Sequence, residues 1–351
     1  MPIHPQGPPG SAGDVEDVYP LTSLQEGILF HSRSALMAGE PDEYCRQYLG
    51  RIRGELNAET FAGVWQGAVD RHPILRTAFA WEEMAKPVQI VFRRVQLPFE
   101  VIDLRSAAPE VRTRRLESFL AEDRRRMFDL GAAPLLRLAL LRVADDLHHF
   151  VLSYHHLLLD GWSRALVFAE VAAHYRTGAS PPEARPFRDY IEWLERRDPA
   201  ADDAFWRDLL RGYSEPSRIA VPPPASGGGT AWAESVKTEL AEREMNELGR
   251  LGRSRRLTLG TFVQGAWGLL LSLYSGSDDV VFGGIVSGRP IELEGVDRMV
   301  GMFVNTLPVR VALDPGEACH LYLARLQRQS LEARQHEHTP LVRIQRCSSA
   351  R

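Results

Sequence analysis

Cysteine is scarce in this 351-residue chain, and the positions of its cysteines exclude several classes of protein. Cys45, Cys319 and Cys347 are odd in number and widely spaced, so they form no CxxC pair. A disulfide framework or a zinc ribbon is therefore not expected, and a reducing cytoplasm is the expected location. Segment 1–14 lacks the basic-then-apolar pattern of a signal peptide and is predicted to be a flexible leader.

Long apolar runs and an excess of one charge are also missing. The longest apolar candidate, Phe262–Tyr274, has the length of a buried helix and is too short to span a bilayer, so no membrane partner is expected. A formal net charge of -4 gives the chain no electrostatic reason to bind nucleic acid. The sequence contains neither GxxxxGK[ST] nor GxSxG, so neither ATP use nor a serine nucleophile is indicated.

The residues that are present suit a globular chain in which helices pack on strands. Its 44% hydrophobic and 25% charged residues can build sizeable cores. Apolar spacing predicts helices that include Thr22–Leu36, Asn57–Pro73 and Glu110–Leu130. Alternating residues predict strands that include Tyr44–Gly54 and Met302–Leu313. Because both halves combine such helices and strands, we predict an α/β fold, an α+β sandwich whose two layers meet at a cleft. Val221–Thr230, rich in proline and glycine, is predicted to be an exposed loop.

The segment SYHHLLLDGWS, residues Ser153–Ser163, holds the side chains that suggest chemistry. His155 and His156 end a predicted strand, and Asp160 and Gly161 form the turn into a predicted helix. His156 and Asp160 would bind a metal only with further ligands from elsewhere, and the HExxH pattern of zinc enzymes is absent. The residues leave two other interpretations open: histidines buried for structural reasons, or a histidine that faces a cleft and exchanges a proton near neutral pH.

HHLLLDG resembles the HHxxxDG motif of condensation domains from nonribosomal peptide synthetases, a motif shared with the wider superfamily of coenzyme-A-dependent acyltransferases. The chain also resembles other motifs of the family, in the same order and over nearly its whole length. The segments that carry this resemblance are YPLTSLQEGILFHS (Tyr19–Ser32), RHPILRTAF (Arg71–Phe79), FRDYIEWL (Phe187–Leu194) and VGMFVNTLPVRV (Val300–Val311). SGRP, Ser287–Pro290, lies where the family carries an arginine.

The resemblance implies a role for each candidate site residue. His156 would be the catalytic histidine, and His155 would be structural, with its ring turned into the fold. Asp160 would pair with Arg289 and hold the shape of the loop, while the acceptor amine would approach at Gly161. The residues implied to line a substrate tunnel are Trp162, Ser163, Gln25 and Asn305.

The resemblance also implies the architecture and the reaction. The fold would be a V-shaped pseudo-dimer of two chloramphenicol-acetyltransferase-like halves, residues 15–180 and 181–351, with a tunnel across the join. Upstream donor and downstream acceptor peptidyl carrier proteins would bring acyl groups on 4'-phosphopantetheine arms, beside an adjoining adenylation domain. The domain itself would bind no cofactor and no metal. His156 would orient the acceptor amine or remove a proton from it as the amide forms.

Some features depart from the family and leave alternatives open. The last two family motifs are not recognised before the chain ends, and Cys347 stands where a tryptophan is usual. We therefore expect a second half that lacks part of its core and of its tunnel wall. The alternatives are an epimerisation domain, a freestanding acyltransferase acting on coenzyme A or a soluble amine or alcohol, and an inactive scaffold that binds carrier proteins. Epimerisation domains usually continue the motif as DGVSW, whereas this chain has DGWSR.

Overall fold

The computed structural model describes residues 14–219 and 237–349. Residues 1–13 of the predicted leader and the predicted loop Val221–Thr230 lie outside the described residues. The chain divides into two compact units. Of the described residues, unit 1 comprises 14–197 together with Arg289–Val304, and unit 2 comprises 198–219, 237–288 and 305–349.

Unit 1 holds two sheets and their helices. Its elements are β1 (Val15–Pro20), α1 (Ser23–Ala38), β2 (Cys45–Arg53), α2 (Ala58–Arg71), β3 (Thr77–Ala80), β4 (Val88–Phe92), β5 (Phe99–Asp103), α3 (Pro109–Arg125), β6 (Leu136–Ala144), β7 (Leu147–His155), α4 (Gly161–Thr177) and α5 (Arg188–Glu195). The strand orders are β1-β4-β3 and β2-β7-β6-β5. β5 runs parallel to β6, and the other strand pairs of this unit are antiparallel.

Side-chain caps begin three helices of unit 1, namely α1, α2 and α4, near the positions that the sequence predicts. Thr22 and Gln25 form a capping box at the start of α1, each side chain accepting a hydrogen bond from the backbone of the other. Asn57 caps α2. The Asp160 carboxylate accepts a hydrogen bond from the Ser163 amide and caps α4. A short polar side chain at this position satisfies an amide that would otherwise lack a partner, which fixes where each helix begins.

The four-stranded sheet brings the histidine pair to the end of a buried strand. β7 lies between β2 and β6, and Cys45 of β2 lies opposite His155 of β7. Apolar residues of the sheet and of the helices on it, including Trp65 and Leu140, form one buried core. Since burial of this apolar surface fixes the register of the strands, it also fixes the place of the turn that follows β7.

Unit 2 holds a strand pair and its own helices. Its elements are α6 (Ala200–Leu209), α7 (Glu242–Arg255), α8 (Leu259–Ser275), β8 (Asp279–Val286), β9 (Asn305–Ala312), α9 (Cys319–Arg334) and α10 (Leu341–Arg346). β8 and β9 form an antiparallel pair. Gly265 lets α8 approach α9 closely, because a Cβ atom there would lie 2.5 Å from Leu323. Within the described residues no single helix is both long and apolar enough to cross a membrane, although α7 and α8, bent by 103° where they meet, satisfy length and composition as a pair.

The boundary between the units differs from the predicted division at residue 180. Phe187 and Tyr190 pack in the core of unit 1, and so does Phe303, which comes from a segment predicted to belong to the second half. The ring centroids of Phe187 and Phe303 lie 5.0 Å apart. Burial of these rings holds residues 181–197 and 289–304 with unit 1. That residues 15–180 and 181–351 each form an acetyltransferase-like half stays a prediction.

Two predicted elements are shorter in the structure. The helix predicted over Glu110–Leu130 ends at Arg125, since Phe128 leaves the helix and lies under the Arg137 guanidinium, 4.4 Å from its carbon to the ring centroid. The strand predicted over Met302–Leu313 begins only at Asn305. Residues 302–303 are both apolar and are buried in the core of unit 1 instead.

Candidate active site

His156 stands immediately after β7, at the start of a turn that ends at the cap of α4. Its Nδ1 atom lies 2.7 Å from the carbonyl oxygen of Leu159. Because a carbonyl oxygen can only accept, Nδ1 carries the proton and donates it. The neutral ring therefore presents Nε2 as an unprotonated acceptor, and no described residue makes a hydrogen bond to that atom. The ring is half-buried, so the Nε2 lone pair is the group of His156 that is free to interact with a substrate.

The surroundings of His156 favour the neutral ring. Burial lowers the pKa of His156 below its ordinary value, and the nearby positive charge of Arg46 acts in the same direction. The hydrogen bond to Leu159 and the charge of Asp160 oppose this lowering but do not outweigh it. The ring is therefore uncharged at neutral pH, the state in which it can accept a proton.

His155 is fully buried and its ring is held on both sides. Its Nε2 atom lies 2.9 Å from Oδ2 of Asp42 and 3.3 Å from Oγ of Ser32. Its Nδ1 atom accepts a hydrogen bond of 3.2 Å from the amide of Leu157. The proton of the neutral ring therefore lies on Nε2 and points at the carboxylate. The two adjacent histidines thus hold opposite tautomers.

Asp42, Cys45 and His155 place three potential metal-ligating atoms within 4.8 Å of one another. In the structure, hydrogen bonds hold this group together. The lone pair of His155 Nδ1 is engaged by Leu157, and its Nε2 carries the proton. Burial and the Asp42 carboxylate raise the pKa of the Cys45 thiol to about 11, so the thiol is protonated at neutral pH. The arrangement fits a hydrogen-bonded structural cluster.

The second polar cluster of the motif surrounds Asp160, which is fully buried. Its Oδ1 accepts a hydrogen bond of 2.6 Å from the Ser163 amide, and its Oδ2 accepts one of 3.2 Å from the Phe303 amide. The guanidinium of Arg289, also buried, lies 3.7 Å from Oδ1. Its carbon stands 3.9 Å from the centroid of the Phe303 ring. Burial lowers the pKa of Arg289, and the Asp160 charge opposes this lowering. The pair thus joins the turn to segment 289–304.

Ser163 links the two charged groups. Its hydroxyl accepts hydrogen bonds from Nη2 of Arg289 at 2.8 Å and from the Gly301 amide at 3.0 Å, and it donates one of 2.7 Å to the Gly301 carbonyl. Gly301 can come this close because it has no side chain. A Cβ atom there would lie 2.1 Å from the ring of Phe187. The glycine thus lets segment 289–304 close the back of the turn.

The residues predicted to line a substrate passage lie in different environments. Gln25 and Ser163 are fully buried, and their side chains are hydrogen-bonded within unit 1. The amide nitrogen of Gln25 donates to Gln89 and to the Leu157 carbonyl, which supports the turn. Trp162 is 53% exposed and donates from its indole nitrogen to the Asp297 carbonyl. Asn305 belongs to unit 2, where its amide donates to the backbone carbonyls of residues 337 and 339.

Some of the groups that support His156 were not found by sequence reasoning. Asp42 holds the His155 ring, and the carbonyl of Tyr44 accepts a hydrogen bond of 2.9 Å from the His156 amide. Both residues are more than 100 positions away in the sequence, and the pairing of β2 with β7 brings them to the motif. The sequence alone does not predict the register in which β2 pairs with β7. The Leu159 carbonyl carries no sequence signal, because every residue has one.

Comparisons with known proteins place the chain among relatives that share its fold. A family model described as "Condensation domain" matches residues 15–351. One of the linear gramicidin synthase proteins of Brevibacillus parabrevis is 43% identical over 345 residues, which are 96% of this chain and 4% of that protein. Bacitracin synthase 3 of Bacillus licheniformis is 34% identical over 340 residues, which are 95% of this chain and 5% of that protein. The chain thus spans only a small part of these curated relatives.

A solved structure agrees with the family match. The condensation domain from a monacolin K polyketide synthase is similar with a TM-score of 0.78 and 22% sequence identity, over 96% of this chain and 78% of that chain. At this identity the similarity demonstrates a shared fold. It supports the predicted α/β, acetyltransferase-like class.

Proposed function

This chain belongs to the condensation-domain family of nonribosomal peptide synthetases, and from that premise we propose that it catalyses formation of a peptide bond between two carrier-bound thioesters. The amine of an acceptor aminoacyl thioester attacks the carbonyl carbon of a donor acyl or peptidyl thioester. A C–N bond forms, the C–S bond breaks, and the donor phosphopantetheine leaves as a thiol that takes up the proton lost by the amine. This reaction requires no oxidant, metal or nucleotide.

The partners in this proposal are an upstream donor and a downstream acceptor peptidyl carrier protein. Each carries its acyl group on a 4'-phosphopantetheine arm, and an adjoining adenylation domain loads the acceptor. The domain contributes no cofactor of its own. A cytoplasmic location belongs to the same proposal and rests on the small number and wide spacing of the cysteines.

The observation that carries the proposal is the state of His156. The neutral ring, with its proton held on Nδ1 by Leu159, offers the Nε2 lone pair in a half-buried position. Such a group can accept a hydrogen bond from the attacking amine and can remove its proton as the tetrahedral species forms. Conversion of a thioester to an amide is downhill and a free amine is already nucleophilic. Correct placement of two tethered reactants therefore supplies much of the catalysis, up to about 7–11 kcal/mol in the best cases.

Gly161 supports an approach of the acceptor beside His156. It is the first residue of α4, directly after the capping residue Asp160. A Cβ atom on Gly161 would meet no atom within 4 Å, so the space next to the backbone is open. A side chain at this position would project into that space. In the proposed reaction the acceptor amine occupies it, and the buried cluster of Asp160, Ser163 and Arg289 keeps the turn rigid behind it.

The test is a reconstitution with carrier proteins. Donor carriers loaded with single amino acids of either configuration are mixed with acceptor carriers loaded with L-amino acids, and dipeptidyl thioester is detected by mass spectrometry. The proposal requires product with the wild-type chain and a strong loss with His156→Ala. Deuterium incorporation at Cα without product would indicate an epimerisation domain. Binding of carriers without either reaction would indicate a scaffold, and acylation of free coenzyme A or a soluble amine would indicate a freestanding acyltransferase.

A further inference from the structure

Asp42 is a buried carboxylate that precedes β2 and lies outside the HHxxxDG motif. Its Oδ2 accepts a hydrogen bond from His155 Nε2 at 2.9 Å. Its Oδ1 accepts one from the Tyr44 amide at 2.9 Å and one from the Ser32 hydroxyl at 3.1 Å. Burial raises the pKa of this carboxyl, but these donors outweigh it and hold the pKa below its usual range, so Asp42 is ionised at neutral pH.

Two chains of hydrogen bonds lead from Asp42 to His156. The first runs through Tyr44, whose amide donates to Asp42 and whose carbonyl accepts from the His156 amide at 2.9 Å. The second runs through the ring of His155, whose Nδ1 accepts from the Leu157 amide. Leu157 begins the turn that ends with Leu159, the residue whose carbonyl fixes the His156 proton on Nδ1. One carboxylate therefore stabilises both the backbone and the turn around the reactive ring.

The donors around Asp42 can be satisfied only by a carboxylate. Three hydrogen-bond donors point at its two oxygens, and both oxygens accept. An amide of the same shape has one oxygen and one NH2 group. If its oxygen faced Tyr44, its NH2 group would face His155 Nε2 and force the proton to Nδ1, where it would oppose the Leu157 amide. If its oxygen faced His155, its NH2 group would oppose the Tyr44 amide. Each orientation breaks one of the two chains to His156.

We propose that Asp42 is a positioning residue of this enzyme. Through the His155 ring and the Tyr44 peptide, Asp42 keeps the catalytic ring of His156 in place and in its Nδ1-protonated tautomer. The proposal rests on the proposed function in one respect, that His156 is the reactive group. It extends the machinery of the site beyond the HHxxxDG motif to a residue that precedes a different strand. Ser32, whose hydroxyl lies within hydrogen-bonding distance of both Asp42 and His155, supports the same arrangement.

The first experiment compares Asp42→Asn with Glu43→Gln in the condensation assay. Both variants convert a carboxylate to an amide at adjacent positions, but Glu43 is exposed. For Asp42→Asn we expect kcat to fall on the order of 10- to 100-fold, because a small displacement of a reacting group has effects of this size. KM for the loaded carriers should stay within about 2-fold, since Asp42 does not face the substrate. Glu43→Gln should match wild type, and an Asp42→Asn variant with unchanged kcat would overturn the proposal.

The second experiment reads the tautomers directly and does not need activity. Long-range ¹H–¹⁵N spectra of the ¹⁵N-histidine-labelled chain distinguish Nδ1–H from Nε2–H, and His155→Gln and His156→Gln variants identify the two rings among the 11 histidines. We expect Nε2–H for His155 and Nδ1–H for His156 in wild type. In Asp42→Asn, His156 should lose its single tautomer and give exchange-averaged nitrogen shifts. Retention of the wild-type tautomers at both rings would contradict the proposal.

The outcomes separate this inference from the proposed function. If wild type forms no dipeptidyl thioester, the proposed function fails, and the nitrogen shifts alone still decide whether Asp42 fixes the two rings. If wild type is active and Asp42→Asn behaves as wild type, the inference fails while the function stands. Should Asp42→Asn not fold, Ser32→Ala takes its place, because it removes one partner of the carboxylate and leaves the charge. It should lower kcat by a few-fold and broaden the His156 tautomer signal, and no change in either would overturn the proposal.

Discussion

The Nδ1–H group of His156 donates a hydrogen bond of 2.7 Å to the carbonyl oxygen of Leu159, three residues along the chain. The donor and the acceptor belong to the same turn, so the state of the ring depends on how rigidly the turn is held. Leu157, Leu158 and Leu159 are almost completely buried, which anchors the turn in the core of unit 1. Asp160 then caps α4 and ends the turn. The three leucines and the cap therefore hold the ring of the proposed catalytic histidine as well as stabilising the fold.

His156→Ala should abolish most of the condensation activity and leave the fold intact. The half-buried ring makes one hydrogen bond to the backbone, so its loss should change the free energy of unfolding little compared with the activity. General acid–base catalysis by a positioned side chain contributes about 10²- to 10⁴-fold to the rate, and we expect the rate to fall by at least about 10²-fold. The measurement is the rate of dipeptidyl thioester formation, with circular dichroism to check the fold.

His320→Ala is the matched control for this variant, because His320 is an exposed histidine on α9. Its rate should equal that of wild type. If His156→Ala keeps the full rate of dipeptidyl thioester formation, the role assigned to His156 is wrong, whatever rate the control gives.

The pKa of His156 should lie below 6.5, its ordinary value. Burial disfavours the charged ring, so the neutral form persists to lower pH, and Nε2 is protonated only as the pH falls through the lowered pKa. Loss of the acceptor lone pair, and of catalysis by the ring, follows on that acidic side. Because the acceptor amine also titrates, the ring is best followed directly, by ¹H–¹³C spectra of the histidine side chains from mildly acidic to mildly basic pH.

Arg46→Ala provides a second check on the same pKa. The Arg46 charge lowers the pKa of His156, while the charge of Asp160 raises it. Removal of the arginine should therefore move the midpoint upward, toward 6.5. A wild-type midpoint at or above 6.5, or a downward movement in Arg46→Ala, would contradict this electrostatic account of the site.

Local patterns in the sequence predict much of the fold around the site. The helices that begin after Thr22 and Asn57 have both an apolar period and a capping residue, two signals that agree. The placement of His155 and His156 at the end of a strand also follows from alternation, and β7 ends at His155. The compact units are harder to predict, because rings such as Phe187 and Phe303 are apolar in sequence whichever core they join.

The support of the site is less visible in the sequence. Ser163 suits the lining of a passage by its position after Gly161 and Trp162, yet its side chain turns inward to Gly301 and Arg289. A hydroxyl fits a substrate passage and a buried hydrogen-bond cluster equally well. The buried cluster forms where segment 289–304 approaches, and that approach depends on contacts more than 100 residues apart.

Asp160→Ala should destabilise the chain strongly. The substitution removes the cap of α4 and the acceptor of the Phe303 amide, and it leaves the buried guanidinium of Arg289 without its carboxylate. Breaking a buried ion pair from one side lowers the free energy of unfolding by about 3–5 kcal/mol. Asp160→Asn should lower the free energy of unfolding less, because asparagine also caps helices well.

Urea unfolding of both variants measures this difference, with Asp208→Ala as the control. Asp208 pairs with Arg211 on an exposed surface, where ion pairs contribute little to stability. Full stability of Asp160→Ala would show that the buried pair and the cap do not hold the turn. A loss equal to that of the control would lead to the same conclusion.

Ser163→Ala distinguishes a structural hydroxyl from one that meets substrate. The hydroxyl donates to the Gly301 carbonyl and accepts from Arg289 and from the Gly301 amide, so its loss leaves buried polar groups without a partner. We expect the free energy of unfolding to fall by about 1–3 kcal/mol. Ser34→Ala is the control, since the Ser34 hydroxyl donates to the Phe30 carbonyl on an exposed face of α1 and its removal should change stability little. KM for the loaded carriers should not change in Ser163→Ala at temperatures where the chain is folded. A raised KM with unchanged stability would instead place the hydroxyl against the substrate.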